Sequence, residues 1–132
     1  MQVAGKGHRL PAYHLRDALE TSATLRLGLL QYAYAFMTQM ADTAISNGRH
    51  KIEERLARWL LLADDRLDNG EIPLTHDFLG VMLGTARPGV TLALQELERR
   101  GWITNRRGVT TIIDRKGLTR SSNGAYQPPS DE

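Results

Sequence analysis

The stretch from Thr75 to Ile113 places the tightest limits on the fold of this 132-residue chain. Leu79, Met82 and Leu83 mark the inner face of a short helix, and Gly84 interrupts it. A second helical pattern runs from about Ala86 to Arg100, with Val90, Ala93, Leu94 and Leu97 on one side. Gly101 ends that helix, and Trp102-Ile103 starts a strand. Asn105-Arg106-Arg107-Gly108 reads as a hairpin turn, and Val109 to Ile113 returns as a second strand. Two short helices about a glycine turn, followed by a basic hairpin, make the pattern of a winged helix-turn-helix.

The local chemistry agrees. Thr75 is a good N-cap, and Asp77 falls in the first turn, where the helix dipole favours an acid. Gly80 in mid-helix costs about 1 kcal/mol relative to alanine unless a crossing helix needs the space. Thr85 is expected to cap the following helix, and Pro88 sits in its first turn, where a missing N–H costs nothing. Both alternations of the second strand contain an isoleucine and a threonine, so its buried face stays open.

Upstream, residues 15–47 carry a helical pattern. Leu30, Ala33, Met37, Met40 and Ala44 recur at spacings of three and four, the seam of a two-stranded coiled coil. Leu29, Tyr32, Phe36 and Ile45 widen the apolar surface. A helix that long has no second layer of its own to pack on, which points to the same helix of a second subunit. Asn47-Gly48 is expected to interrupt it. His50 to Leu67 reads as another helix, with Ile52, Leu56, Trp59, Leu60 and Ala63 inward and a Glu54–Arg58 surface pair. Asp68-Asn69-Gly70 is a turn signal, and Glu71 to Leu74 a brief extended link. The fold class is therefore mainly α with a small β wing: a dimerisation helix (15–47), then a winged helix-turn-helix domain (48–120). Residues 1–14 are expected to be weakly ordered, and 121–132 to form a disordered tail ending Gln-Pro-Pro-Ser-Asp-Glu.

Charge distribution singles out the same region. The net charge is only +2, but between Ala86 and Arg120 eight basic residues face three acidic ones, which makes +5 there and −3 elsewhere. Basic charge concentrated in one part of a fold is the footprint of phosphate contact. No cysteine is present, which removes disulfides and thiolate metal sites. No run is apolar enough to span a bilayer and no signal peptide is evident, so a cytoplasmic protein is expected. His8, His14, His50 and His76 are scattered without paired ligand spacing, Asp64-Asp65 reads as solvated surface, and no catalytic constellation or cofactor motif is present. An enzyme is not expected.

The spacing of Leu79, Gly80, Leu83, Gly84, Val90 and Ala93, together with HKIEERLARWLLLADDRL before it and the RRG wing after it, resembles the Crp/Fnr superfamily of bacterial transcription regulators. The resemblance spans Leu25 to Leu118. It implies that the long helix dimerises, that duplex DNA is the partner of a homodimer on a pseudo-palindromic operator, and that RNA polymerase is a further candidate partner. Members of this family carry an N-terminal β-roll that binds an effector, and only its last strand fits in Gln2 to Leu10. The expectation is thus a regulator without its sensor and without cyclic nucleotide binding.

In such a fold the start of the second helix enters the major groove. Arg87 matches guanine O6 and N7, and the resemblance places a DNA-contacting arginine there. Pro88 stands where other members carry a base-reading glutamate. Gly89 either lets the backbone approach DNA or is a poor helix former tolerated in a first turn. Thr85, Thr91 and Gln95 are candidates for phosphates or base edges, Arg106 and Arg107 for phosphates, and His76 for a phosphate or plain surface. The alternative reading is a truncated dimerising module that pairs with full-length regulators and modulates them.

Overall fold

The computed structural model describes residues 6–67 and 70–128. Asp68 and Asn69 of the turn signal lie outside the described residues, as do 1–5 and 129–132. The chain divides into two compact units, Met1–Thr43 and Ala44–Glu132.

In the first unit, α1 (Ala12–Thr21) starts after Pro11, and α2 (Ala23–Arg49) begins two residues after α1 ends. One continuous helix was expected here; Ser22 divides it. Ser22 takes an extended backbone (φ −121°, ψ 102°) while its N–H still bonds the Ala18 carbonyl at 2.9 Å. Its hydroxyl accepts the Leu25 N–H at 3.2 Å, so the same serine closes one helix and caps the next. Residues 12–21, expected to straddle a weakly ordered stub and the helix, thus form a helix of their own.

Helix α2 has 27 residues and is about 40 Å long. Asn47 and Gly48 do not interrupt it: the helix continues to Arg49, and the chain turns at Lys51 (φ −68°, ψ 163°). Glycine and asparagine permit a helix end but do not impose one. The seam positions are solvent-exposed in the single chain, with Leu30 at 63%, Met37 at 68% and Met40 at 57% of full accessibility. Leu27, Tyr32, Tyr34 and Phe36 are exposed too, and Ser46 is the only buried residue of the helix.

The second unit comprises α3 (Ile52–Asp64), β1 (Glu71–Pro73), α4 (His76–Leu83), α5 (Arg87–Arg99), β2 (Ile103–Arg106), β3 (Val109–Ile112) and α6 (Arg115–Ser121). The three strands form an antiparallel sheet in the order β1-β3-β2. The Glu71–Leu74 link therefore supplies a sheet strand, with Pro73 at an edge where no ladder donor is needed. Thr110 is the buried residue of β3, set between Ile72 on β1 and Asn105 on β2, which settles the face of that strand.

The core joins Leu56, Leu60 and Leu61 of α3, Ile72, Leu79 and Leu83, Val90, Leu94 and Leu97 of α5, Ile103 and Leu118. Its α3 face is rotated from the expected one: Ala57 and Leu61 are fully buried while Trp59 packs at the margin. Arg58 is also buried, and its Nε–H donates to the Ala125 carbonyl at 2.9 Å. Glu54 accepts the Lys51 N–H at 2.9 Å and the Asn123 amide at 3.2 Å, so both members of the expected surface pair hold other segments.

The C-terminal segment corrects a further expectation. Residues 122–126 do not form a tail: Ser122 and Tyr126 are buried at 1% and 6% exposure. The Tyr126 hydroxyl donates to the Asp65 carboxylate at 3.0 Å and accepts from Arg115 at 2.8 Å. Arg115 also bridges Asp64 and Asp65, which are therefore not merely solvated surface. Burial and the neighbouring Asp65 carboxylate push the Tyr126 phenol above its ordinary pKa, so it stays a hydrogen-bond donor throughout the neutral range.

The turn between α4 and α5 positions everything that follows. Gly84 takes the left-handed conformation (φ 59°, ψ 40°) and returns its N–H to the carbonyls of Gly80 and Val81. A Cβ on Gly80 would stand 2.9 Å from the Thr85 carbonyl oxygen, a backbone atom that cannot swing away. Gly80→Ala is expected to cost about 1–3 kcal/mol by overpacking. Gly28→Ala, on α2 with open space around it, is expected to raise stability by about 0.5–1 kcal/mol. Urea denaturation of the two variants checks the opposite signs.

Candidate nucleic-acid interface

Helix α5 presents two faces. Val90, Ala93, Leu94 and Leu97 are 0–2% exposed and define the inward side. At 100° per residue the opposite side is Pro88, Leu92, Gln95 and Arg99, with Arg87 and Thr91 on one flank. Arg87, Pro88, Gln95 and Arg99 are exposed, and Leu92 is 66% exposed. Pro88 lies in the first turn, and the N-cap is Ala86 (φ −73°, ψ 151°). Thr85 was expected to cap this helix. Its hydroxyl instead lies against Gly89, where a Cβ would stand 2.9 Å from Thr85 Oγ1 and 3.4 Å from Ile52 Cδ1. Packing inside the domain accounts for the glycine at 89.

Arg87 is loosely held. Its Nε is 3.8 Å from Asp77 Oδ1, and both side chains are about seventy per cent exposed. Such a pair contributes about 0–1 kcal/mol and leaves the guanidinium available to a ligand.

The wing is a two-residue hairpin. Arg106 pairs with Val109, and Arg107 (φ 53°) and Gly108 (φ 79°) form the turn, one residue later than expected. Positive φ at both positions is the turn that matches the twist of the strands. Glycine adopts it freely, whereas arginine there costs about 1–2 kcal/mol. Arg106 and Arg107 are exposed and form no ion pair among the described residues.

His76 and Thr91 are turned towards each other. His76 Nδ1 is 3.0 Å from Thr91 Oγ1, and His76 Nε2 is 3.3 Å from Asn105 Nδ2. The Thr91 hydroxyl donates to the Arg87 carbonyl at 3.1 Å, so it accepts from Nδ1–H. The Asn105 amide faces Nε2, a pairing that suits the tautomer with its proton on Nδ1. Glu98 Oε1 accepts the Asn105 N–H at 3.0 Å, and the Leu74 N–H donates to the Gly108 carbonyl at 2.9 Å. The start of α4, the middle of α5 and the wing are thereby fastened together. His76 and Thr91 spend their polar atoms inside the domain, while Arg87, Pro88, Gln95, Arg106 and Arg107 stay open to solvent. Asn105, Glu98 and Leu92 escaped sequence reasoning. The first two act through partners on other elements, and Leu92 looked like one more apolar residue in a helix.

Not all of the basic charge is available. Glu96 accepts from Arg99 at 2.9 Å and from Arg100 at 2.5 Å. Arg100 also lies over Trp102, 5.0 Å from the ring centroid. Among the described residues no group of three or more metal-ligating side chains comes together. No helix among them is long and apolar enough to cross a membrane.

Two short helices at a glycine turn, a three-stranded sheet and an arginine-tipped hairpin define a winged helix-turn-helix domain. Residues 54–121, just over half of the chain, match the Crp-like helix-turn-helix domain, and the chain belongs to that family. The structure is similar to FixK2 from Bradyrhizobium japonicum (TM-score 0.74, 23% identity, 82% of this chain and 57% of that one). It is also similar to a CooA mutant from Carboxydothermus hydrogenoformans (0.71, 16%, 82% and 53%). A CRP-family transcriptional regulator from Thermus thermophilus matches at 0.68, with 18% identity over 80% of this chain and 57% of that one. At these identities the likeness is one of fold, and the chain spans about half the length of these structures. No curated protein matches it in sequence.

Arg107→Asn is expected to stabilise the hairpin by up to about 1 kcal/mol, because asparagine tolerates positive φ. A rise of a few degrees in thermal midpoint checks it. The hydrogen bonds from Arg99 and Arg100 lower the Glu96 carboxyl from 4.5 to about 2. A depressed carboxylate supports the native state above its unfolded pKa and loses that support as pH falls, here from about 4.5 towards 2. Carboxyl NMR should give a Glu96 midpoint near 2 that returns to the ordinary range in the double variant Arg99→Ala, Arg100→Ala.

Proposed function

We propose that the chain is a sequence-specific, double-stranded-DNA-binding transcription regulator, acting in the cytoplasm as a homodimer on a pseudo-palindromic operator. The observation that carries this reading is the outward face of α5, with Arg87 loosely held at its first turn, beside a wing whose arginines are unpaired among the described residues. Arg87 reads a guanine edge, and its fork contributes about 1–3 kcal/mol of discrimination. Arg106 and Arg107 hold phosphates and set the register without specifying sequence. The strain at Arg107 supports this role, since a residue that costs stability at a turn gains its value elsewhere.

Dimerisation rests on α2. An isolated helix gains little stability from its own backbone and needs an apolar face covered. Leu30, Ala33, Met37, Met40 and Ala44 form such a face, exposed in the single chain. Two copies joined along it carry two recognition helices, set about 34 Å apart to meet successive major grooves. Contact with RNA polymerase belongs to the same reading.

Sedimentation at micromolar concentration should give a dimer, and selection from a random duplex library at fixed salt should return a two-fold-related site. On that site Arg87→Ala should relax the preference at one position in each half. Arg106→Ala with Arg107→Ala should weaken specific and random DNA alike and make the salt dependence shallower by about two phosphates per subunit. A dimer that binds no duplex but pairs with full-length regulators would replace this reading by the interaction-module one.

A further inference from the structure

Leu92 stands where the fold has no use for a leucine. It lies at the middle of the outward side of α5, 66% exposed, while the core side of the same helix is complete with Val90, Ala93, Leu94 and Leu97. Pro88, one turn earlier, is exposed on the same side, and Gln95 follows one turn later. The outward side thus begins with an apolar step of two residues before any hydrogen-bonding side chain. Arg99, the next residue along that side, has its guanidinium engaged by Glu96.

An aliphatic side chain in a major groove cannot read donors or acceptors. The one apolar group that a base edge offers there is the C5-methyl of thymine. Resting on the proposal that α5 enters the major groove, we infer that Leu92, backed by Pro88, is a specificity-determining residue that reads a thymine methyl in each half-site. Arg87, on the flank of the same helix, reads hydrogen-bonding edges, so the two residues discriminate by different physics. Burying one methyl contributes about a fourfold change in affinity per half-site.

Deoxyuridine isolates this contact, since it keeps the O4 acceptor and the pairing of thymine and lacks only the methyl. The full chain is titrated against its library-selected duplex, with each thymine in turn replaced by deoxyuridine at fixed salt. Replacement at one thymine per half-site should weaken the wild type about fourfold per half-site. Leu92→Ala should bind the thymine and deoxyuridine duplexes equally, and Leu92→Met should retain the preference. Position 92 is exposed and alanine is a good helix former, so the domain is expected to stay folded; circular dichroism checks this. Equal wild-type affinity for thymine and fully deoxyuridine-substituted duplexes would overturn the inference, as would a thymine preference that survives Leu92→Ala. Failure to select any duplex would overturn the DNA-binding reading itself, whereas selection with no methyl dependence removes Leu92 alone.

Discussion

Helix α5 has its direction because α4 approaches the turn closely enough to touch it. The 2.9 Å that would separate a Gly80 Cβ from the Thr85 carbonyl leaves no room for any side chain. Gly84 completes the turn in a conformation that residues with a Cβ rarely adopt. From that crossing follow the burial of Val90, Leu94 and Leu97 and, on the opposite side of the same helix, the exposure of Pro88, Leu92 and Gln95. The proposed recognition surface is the side of α5 that the turn leaves outside.

Polar contacts then secure the surface from behind. His76 bridges Thr91 and Asn105, and Glu98 holds the Asn105 backbone, so the wing is referenced to α5 by side chains from three elements. At the far side of the domain, Arg115, Asp64, Asp65 and Tyr126 close the C-terminal segment over α3. Charge is sorted by these arrangements. Arg99 and Arg100 share the Glu96 carboxylate and Arg115 is held by Asp64 and Asp65, while Arg87, Arg106 and Arg107 are held loosely or left unpaired among the described residues. Local basic content therefore overstates the charge available to a phosphate backbone.

Much of the fold was legible in the residues. The order of helices, the turn at Gly84, the cap at Thr75, the hairpin and the reason for Gly80 all rest on interactions spanning a few residues. What failed was decided over longer distances or between near-equal local options. Ser22 breaks a run whose apolar periodicity continues on both sides. Asn47-Gly48, a strong local stop signal, is overridden by the helix through it. Tyr126 sits in a polar, proline-rich segment, yet a buried site on α3 is shaped for its ring and hydroxyl. Arg58, placed outside by its charge, is inside because the Ala125 carbonyl meets it there.

The amino-acid sequence by itself determined the helices about the Gly84 turn and the hairpin of the winged domain, and that its basic charge lies with α5 and the wing. Backbone propensity, capping and periodicity act locally, so they can be read along a line. Only the tertiary structure decided which of those side chains remain free. His76 and Thr91 were withdrawn by each other, Arg99 and Arg100 by Glu96, and Leu92 was left outside by a core already full. Availability depends on partners brought in from other elements, and no spacing within one element records them.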